Sequence, residues 1–554
     1  MSRNALLTLP VALCLSQPAW ACGGFFCGAQ TPVDQAAEEI LFALAGDEVT
    51  MHVKIAYEGP AEDFSWVVPV AAEPTLEIGT DALFTTLSGL RARWQLTQDT
   101  DNCSMDESAA SSTDAGYMGG GGVTIISTGA VGPYEQVTLL ADDTAGLVDW
   151  LNSHNFDISD DFDTAIAPYV ASGQYFVALR LAKDKDAGDL EPIALTYKGS
   201  IASIPIQLTS IAATPDMGLR VYVLGEHRAV PGSYLHVQLN HLSINWWTAG
   251  ANVEDAIGLA ADEAGGHAFF TDYAGSTEPV QGQIFSNAWD QIDLGGIDSA
   301  ETLLLTLVTE GLPLDDPMLD VLAFHLGLPV TSNAELDLTT VFGCMSPGTY
   351  YGYSYGTTAG SGDCYGDELA EITFDPDALA ADVELTVLEP RRRTEALLAA
   401  YPKISRMTSS VSPAEMTVDP TFVLNPDMGD VAQTRTAVEA YACRRQEGLF
   451  DARRALQLTD GRSVLLPSRR ELSDLGMTEF EWLTEYGVTT PAAAIIERTS
   501  GSGQPEVLVD NRDLLEQQIR GLLSGGACSC TTSTPSPGWL ATLSLFALFR
   551  RKQR

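Results

Sequence analysis

Positive charge is scarce in this sequence. Thirty Lys and Arg stand against 74 Asp and Glu over 554 residues, a formal net charge of −44. Between Arg228 and Arg391 there is no lysine or arginine at all, yet the same 162 residues hold 25 carboxylates. Such a surface repels nucleic-acid phosphates and anionic lipid heads, which excludes nucleic acid as a partner. The carboxylates of this stretch have no basic partner inside it. Three fates are open: docking against the C-terminal part, where residues 391–520 carry 16 basic and 19 acidic side chains, exposure to water, or coordination of a divalent cation such as calcium. No EF-hand loop supports the last. The run 157–163, "DISDDFD", lacks the glycine and the twelfth-position glutamate of that loop. The plain reading of the charge is solubility.

Motifs of catalysis are missing too. The seven histidines are scattered, and none falls in H-E-x-x-H or another close ligand spacing. His236 and His241 lie five apart, which on a strand places them on opposite faces, and they read as ordinary strand-edge residues. His267, in "AGGHAFFTDYAG", is the first histidine worth mutating. Gly265 and Gly266 before it suit a tight helix-to-strand turn. No phosphate loop or dinucleotide fingerprint occurs. Residues 352–356, "GYSYG", match G-x-S-x-G, but a nucleophile elbow needs a strand before it and a helix after it, and both flanks read as loop. The pairs Asp142-Asp143 and Asp315-Asp316 fall at expected helix starts, where the helix dipole favours them without catalysis. Tyr and Trp residues around 344–365 and 246–247, if exposed, offer stacking surfaces for sugars or a partner protein. No catalytic, cofactor-binding or metal-binding residue is therefore assigned, and no cofactor is expected beyond the calcium option.

Long apolar runs are absent from both ends. Residues 1–21 have the parts of a secretory signal: Arg3, a short apolar run at 5–15, and small residues Ala19 and Ala21 before the expected cut. The run is too short to span roughly 30 Å of hydrocarbon. Cys22 follows the cut directly. Ala19 and the bulky Trp20 match a lipoprotein signal poorly, so a disulfide with Cys27 is favoured over lipidation. At the other end, 524–554 read "SGGACSCTTSTPSPGWLATLSLFALFRRKQR". The apolar run 539–549 gives less than about 20 Å of helix, and Arg550 and Arg551 head a cationic cluster that resists translocation.

Nine cysteines are present. Cys14 leaves with the signal, and Cys528 and Cys530 belong to the tail. The remaining six (Cys22, Cys27, Cys103, Cys344, Cys364 and Cys443) suggest three disulfides in an exported chain, with fifteen connectivities possible. Proximity favours Cys22–Cys27 and Cys344–Cys364, leaving Cys103 with Cys443. No pair has C-x-x-C spacing.

Periodicity predicts an α+β fold with a strand-rich N-terminal half, a more helical middle and a small α/β C-terminal part. "VTMHVKIAY" alternates, with Val49, Met51, Val53, Ile55 and Tyr57 on one face and Thr50, His52, Lys54 and Ala56 on a wet one. Gly46-Asp47 turns a hairpin from 39–45 into it. Phe64, Trp66 and Val68 alternate in the next strand. Further strands are expected at 123–128, 134–141, 174–182, 193–197, 204–210 and 218–224, with helices at 81–92, 144–154 and 161–170. Residues 104–122 read as a glycine-rich surface loop. Beyond 250, helices are expected in "NVEDAIGLAADEAGG", with Asn252 as cap, in "SAETLLLTLVTEG", in "DDPMLDVLAFHLG" and in part of 391–450. "RSVLLPS" and the pair "AAIIERT" and "PEVLV" suggest a small terminal sheet. The divisions that follow are 1–21 signal, 22–250 strand-rich domain, 251–390 acidic helix-rich region, 391–523 α/β region and 524–554 sorting tail.

The strings "ACGGFFC", "PVDQAAEEILFAL", "VKIAYEGPAEDFSWVVPV", "VGPYEQVTLL", "VDWLNSHNFDI", "SIPIQLTSIAA" and "EAGGHAFFTDYAG" follow one another in order. In these the chain resembles the exported bacterial proteins grouped as domain of unknown function 2330, from about Cys22 to Gly275 and more weakly to about 450. The resemblance implies an exported bacterial protein and carries no activity. The tail resembles the MYXO-CTERM sorting signal, which implies cleavage near Cys528 or Cys530 and display at the cell surface after a transient membrane tether; the alternative is an ordinary, permanent C-terminal membrane anchor. The expectation is an exported, disulfide-bearing, non-catalytic binding or structural component of the cell envelope, whose partners are export and sorting machinery and an external ligand. The alternative is an extracellular hydrolase that uses carboxylates drawn from distant positions.

Overall fold

The structure is a computed structural model. It describes residues 25–26, 35–54, 65–100, 128–131, 133–154, 156, 162–181, 191–211, 213–281, 284, 288–312, 314–331, 336–345, 364–442 and 448–523. Alternation sets the first hairpin. Gln35–Ala45 and Glu48–Lys54 pair antiparallel across Gly46-Asp47, with Gly46 at φ 64°. Val49, Met51 and Val53 are buried as their spacing predicts. The opposite face is drier than expected. His52 pairs with Leu41, and Leu41 packs with Leu83, Phe84 and Leu87 of the helix Asp81–Ser88. Burial there pushes the His52 imidazole down to about 4.

This hairpin enters a mixed ten-stranded sheet. Its strands run in the order Glu506–Asp510, Ala493–Arg498, Leu235–Leu239, Ala268–Ser276, Lys403–Val411, Ala213–Gly225, Gln35–Ala45, Glu48–Lys54, Ile193–Lys198 and Thr75–Ile78. Two pairings are parallel, Ala213–Gly225 with Gln35–Ala45 and Leu235–Leu239 with Ala268–Ser276. The boundaries expected at 250 and 390 both fall between strands of this one sheet. A five-stranded antiparallel sheet packs over one of its ends. Its order is Phe25–Phe26, Ser65–Val70, Tyr175–Leu181, Tyr134–Leu140 and Thr128–Val131. The two sheets share one apolar core, in which Phe42, Met51 and Val221 meet Val67, Phe176 and Ala178. The helices Thr144–Ser153 and Phe162–Ala171 contribute Leu151 and Ile166 to it. A three-stranded piece of Ala202–Ser203, Thr421–Asn425 and Arg228–Pro231 adds Phe422 and Ala229.

At the other end a four-stranded sheet of Ser463–Leu466, Arg453–Leu458, Thr434–Ala442 and Arg93–Asp99 builds a second core with the helix Val253–Glu263. The helical middle has its own core. Ala300–Thr309, Asp316–Leu326, Leu338–Met345 and Pro376–Val383 bury Leu304, Leu322, Phe342 and Leu379 together. The arrangement is α+β, with the strand-rich half first and the helices in the middle.

Several sequence expectations need correction. Residues 204–210 alternate apolar and polar like a strand but contain the short helix Ile206–Thr209. Pro205 fixes the backbone before it, and the distant Asp419 carboxylate accepts the Gln207 N–H at 3.1 Å. The part-helical reading of 391–450 is met by the helix Glu389–Ala399, but among the described residues the rest of that stretch is mainly strand, Lys403–Val411, Thr421–Asn425 and Thr434–Ala442. The expected terminal hairpin forms, but Ala493–Arg498 pairs onto Leu235–Leu239 and so extends the large sheet. Asn252 stands at the helix start, yet its side chain serves the preceding loop: it accepts the Asn245 N–H at 2.7 Å and donates to the Ser243 carbonyl at 2.8 Å. Among the described residues no helix is long and apolar enough to cross a membrane, and the apolar run at 539–549 lies outside them.

Where the two larger sheets meet, Glu38 points a carboxyl among Ile40, Met51, Val53, Trp66, Val67 and Val68. It is 8 % exposed, and its Oε2 has no hydrogen-bond partner among the described residues. Burial pushes this carboxyl up to about 7, from an ordinary 4.5. Below about 4.5 the group is protonated folded or unfolded, and it costs nothing. As pH rises towards 7 the unfolded chain ionises first, so folding stability falls, by roughly 3 kcal/mol in all. Chemical denaturation across this pH range should show that loss, and Glu38→Gln should flatten it. An identical pH slope in the two proteins would remove Glu38 as its source.

Candidate functional site

The large sheet places three polar constellations at its centre and margins. On Leu235–Leu239, His236 bonds Glu497 Oε1 through Nδ1 at 2.8 Å and Thr271 Oγ1 through Nε2 at 2.9 Å. Hydroxyl, imidazole and carboxylate thus stand in the order of a nucleophilic relay. Burial works against the charge of Glu497, but the His236 hydrogen bond, with Gln238 and Arg228 nearby, overcomes it and holds the carboxyl below its usual range. All three members are sealed in: His236, Thr271 and Glu497 are at most 5 % exposed. A nucleophile needs a space beside it for the reacting atom, and the strands fill that space here. The relay acts as a cross-sheet tie between three strands.

The second constellation centres on Asp272. Its carboxylate accepts from Arg406 Nη1 at 3.2 Å, Thr408 Oγ1 at 2.6 Å and the Ala92 N–H at 3.1 Å. The third sits in the four-stranded sheet. Glu439 accepts from Arg454 at 2.6 Å, Tyr441 at 2.8 Å, Gln98 at 3.1 Å and Arg469 at 3.3 Å. Arg454 also meets Glu479 at 2.7 Å and donates Nε to the Pro467 carbonyl at 3.0 Å. Each carboxylate is saturated by structural partners, as burial of charge requires.

The open site lies on the other flank, where the helix Val253–Glu263 crosses the strands Ala213–Gly225 and Lys403–Val411. At the crossing a Cβ on Gly258 would meet Ser410 at an ordinary contact distance of 3.5 Å. The groove beside it is lined by Asp216, Glu254, Asp255 and Asp262, with Arg220 as its one cation and Thr408, Ser409 and Ser410 along its floor. Arg220 reaches Glu254 at 3.0 Å and Glu39 at 3.5 Å. Asp216 adopts φ 59°, uncommon for a residue with a side chain, and exchanges two hydrogen bonds with Ser412, each 3.1 Å. The groove presents negative charge at a built surface and suits a cationic ligand, while the Thr408 and Ser409 hydroxyls beneath it are turned to Asp272 and to the Ala268 carbonyl.

Residues 17–283 match the family described as an uncharacterized protein conserved in bacteria, DUF2330. No curated protein and no solved structure matches the chain. All four groove carboxylates and Arg220 lie in the DUF2330 region, whereas the strand that supplies Thr408–Ser410 lies beyond it. The helical middle begins where the DUF2330 match ends.

The residues singled out in the sequence are dispersed. Cys344 and Cys364 are disulfide-bonded, joining the end of Leu338–Met345 to the start of Gly366–Leu369. Ala21, Cys22, Cys27, Cys103, Cys443, Cys528, Cys530, Arg550, Arg551 and the 352–356 string lie outside the described residues. His241 is not on a strand edge. It begins the turn His241–Ser243, packs edge-on against Trp94 at 5.5 Å, and burial pushes its imidazole down to about 4. Trp246 offers no stacking surface, being 1 % exposed with its Nε1 bonded to the His241 carbonyl at 2.7 Å. His267 takes Thr417 Oγ1 at 3.2 Å and packs on Tyr234 after a turn in which Gly265 and Gly266 have φ 80° and 78°. Asp143 caps its helix through the Gly146 N–H at 2.7 Å, while Asp315 pairs with Arg391. That pair is one point where the acidic middle docks on the arginines after it. Among the described residues no group of three or more His, Cys, Asp or Glu is arranged to hold a metal.

Breaking a saturated buried pair should cost far more than breaking a surface one. Glu439→Ala is expected to lower the unfolding free energy by roughly 3 kcal/mol or more, because Arg454 stays buried with one carboxylate fewer. Glu506→Ala, which removes the exposed partner of Arg498, should leave the urea midpoint unchanged. Equal midpoints for both variants would contradict this account of the network.

Proposed function

We propose that the chain is an exported cell-surface protein with a non-catalytic role, binding an external ligand through the carboxylate-lined groove. The observation that carries this reading is the separation of charge chemistry from access. Acid–base catalysis by carboxylates needs an open site in which one carboxyl is raised beside another that stays ionised. Burial raises the carboxyls of Glu38, Glu263 and Asp419, and none of these three lines the groove. Glu38 faces an apolar junction. Burial raises Glu263, which is nonetheless held by the N–H groups of Ala492 and Ala493 at 2.8 Å each. Burial likewise raises Asp419, which is held by Tyr169 at 2.9 Å and the Gln207 N–H. The groove carboxylates face an incoming ligand, Glu254 beside its Arg220 partner and Asp216 beside Ser412, whereas Glu263 and Asp419 are held by donors within the fold.

Export is supported by the signal-like residues 1–21 and by the Cys344–Cys364 disulfide, a bond that persists in oxidising compartments. Surface display is supported by the order of parts in 524–554. Mass spectrometry of unreduced peptides from the protein taken from its own cell envelope tests this. A mature chain starting at Cys22, an intact Cys344–Cys364 link and an end near Cys528 or Cys530 are expected. An acylated Cys22 together with a retained Arg554 would overturn the surface assignment.

The non-catalytic reading has its own test. The purified chain is expected to turn over no member of a panel of glycans, peptides and esters. Hydrolysis that is abolished by Glu254→Gln or Asp255→Asn would establish the hydrolase alternative instead.

A further inference from the structure

The helical middle carries a second surface, separate from the groove. Phe324, near the end of the helix Asp316–Leu326, is 79 % exposed, and Leu385 is 71 % exposed. Isolated exposed apolar residues are ordinary, but these two belong to one strip. The Phe324 ring meets the His325 ring edge-on at 5.1 Å. His325 Nε2 bonds Asp382 Oδ2 at 2.7 Å. Leu385 follows Asp382 by one helical turn, so both apolar side chains flank the same interhelical bond.

Leu385 owes its position to a backbone irregularity. Pro376–Val383, Glu384–Leu388 and Glu389–Ala399 form one continuous helical rod, and its middle piece is a π turn in which the Glu389 N–H reaches back five residues to the Glu384 carbonyl. Pro390 lacks the N–H that regular α-helical bonding would require. The wide turn accommodates that loss and leaves Leu385 on the outer side, while Val387 and Leu388 stay buried. Turns of this kind occur often at functional sites.

The charge around the strip selects its partner. From 229 to 390 the sequence has carboxylates and no lysine or arginine, and the arginines that follow on the rod are already paired, Arg391 with Asp315, Arg392 with Glu384 and Arg393 with Glu389. Asp320 stands one turn before Phe324 and is exposed, and the Asp382 carboxylate is 48 % exposed. A second copy of this chain, with its net charge of −44, is repelled from such a surface, as is an anionic membrane. We infer that the Phe324–Leu385 strip docks a basic protein segment with apolar side chains on one face, the apolar face covering Phe324 and Leu385 and the cationic face meeting the surrounding carboxylates. Recognition of this kind lays an amphipathic helix along an apolar strip, with charge speeding the encounter and the apolar anchors supplying most of the affinity.

The test uses the full mature chain and two fluorescent peptides of equal length and charge, one an amphipathic Leu/Lys helix and one with serine in place of each leucine. Fluorescence anisotropy is expected to show the Leu/Lys peptide binding more tightly, with affinity falling as salt rises. The double variant Phe324→Ser/Leu385→Ser should weaken that binding by roughly tenfold or more and leave the weak Ser/Lys binding unchanged. Both substituted side chains are exposed, so an unchanged melting temperature verifies the fold. Equal binding of the Leu/Lys peptide by variant and parent overturns the proposal. So does equal binding of both peptides by the parent, which means diffuse charge attraction only. Light scattering that shows a dimer lost in the variant overturns it as well, since the occupant is then a second copy. Groove variants such as Glu254→Gln should leave this binding intact, which separates its failure from that of the groove.

Discussion

The carboxylate of Asp272 is the tie on which the architecture depends. It sits on one strand of the large sheet, takes Arg406 and Thr408 from the next, and takes the backbone N–H of Ala92 from the segment leading into the four-stranded sheet. Arg435, in that smaller sheet, donates to the carbonyls of Asp272 and Thr271 at 2.9 and 3.0 Å. One ionised group therefore fixes the register of a central strand and the docking of a second sheet. Its desolvation is tolerable because each partner is a donor in hydrogen-bond reach. Removing a partner leaves buried charge, so the network is all or nothing in a way that the surrounding apolar packing is not.

The same logic explains which parts of the fold could be read in the sequence. Strands whose burial is apolar announce themselves: Val49, Met51 and Val53 alternate, and Gly46 marks the turn. The strand Lys403–Val411, "KISRMTSSV", does not, because its buried positions are Arg, Ser and Thr. Ser405 bonds the Ala229 N–H at 2.9 Å and Ser409 bonds the Ala268 carbonyl at 2.6 Å. Those partners lie well over a hundred residues away, and no local pattern can signal them. The short helix after Pro205 was hidden for the same reason, since the carboxylate that holds it comes from position 419. The groove was equally invisible, its walls drawn from 216–220, 254–262 and 408–410. Proximity in sequence did suggest Cys344 with Cys364, whose ends the helical middle brings together.

Carboxylates dominate this chain, and the fold divides them into two populations. A few are taken inside and neutralised by arginine, histidine or backbone N–H groups. Most remain at the surface, above all across residues 229–390, where the sequence supplies no lysine or arginine. The first population accounts for rigidity, the second for the field that a partner meets on approach. The groove and the Phe324–Leu385 strip both belong to the second, which is why each selects for positive charge while offering different surroundings to it.

The helical middle is also placed in an unusual way. Ala268–Ser276 and Lys403–Val411 are adjacent antiparallel strands, with Ser276 opposite Lys403, so the whole 284–399 segment occupies the position of a hairpin loop. Its two ends meet at neighbouring points on the sheet. Topologically it is an excursion that returns to where it left: its inner part closes a core of its own, while Ile284 and Leu398 at its two ends pack with Leu41, Tyr222 and Ile404 of the sheet. The stretch between those anchors can lengthen or shrink without disturbing the register beneath it. The large sheet then sets its register across two neighbouring strands, and the acidic helices are carried from that one junction.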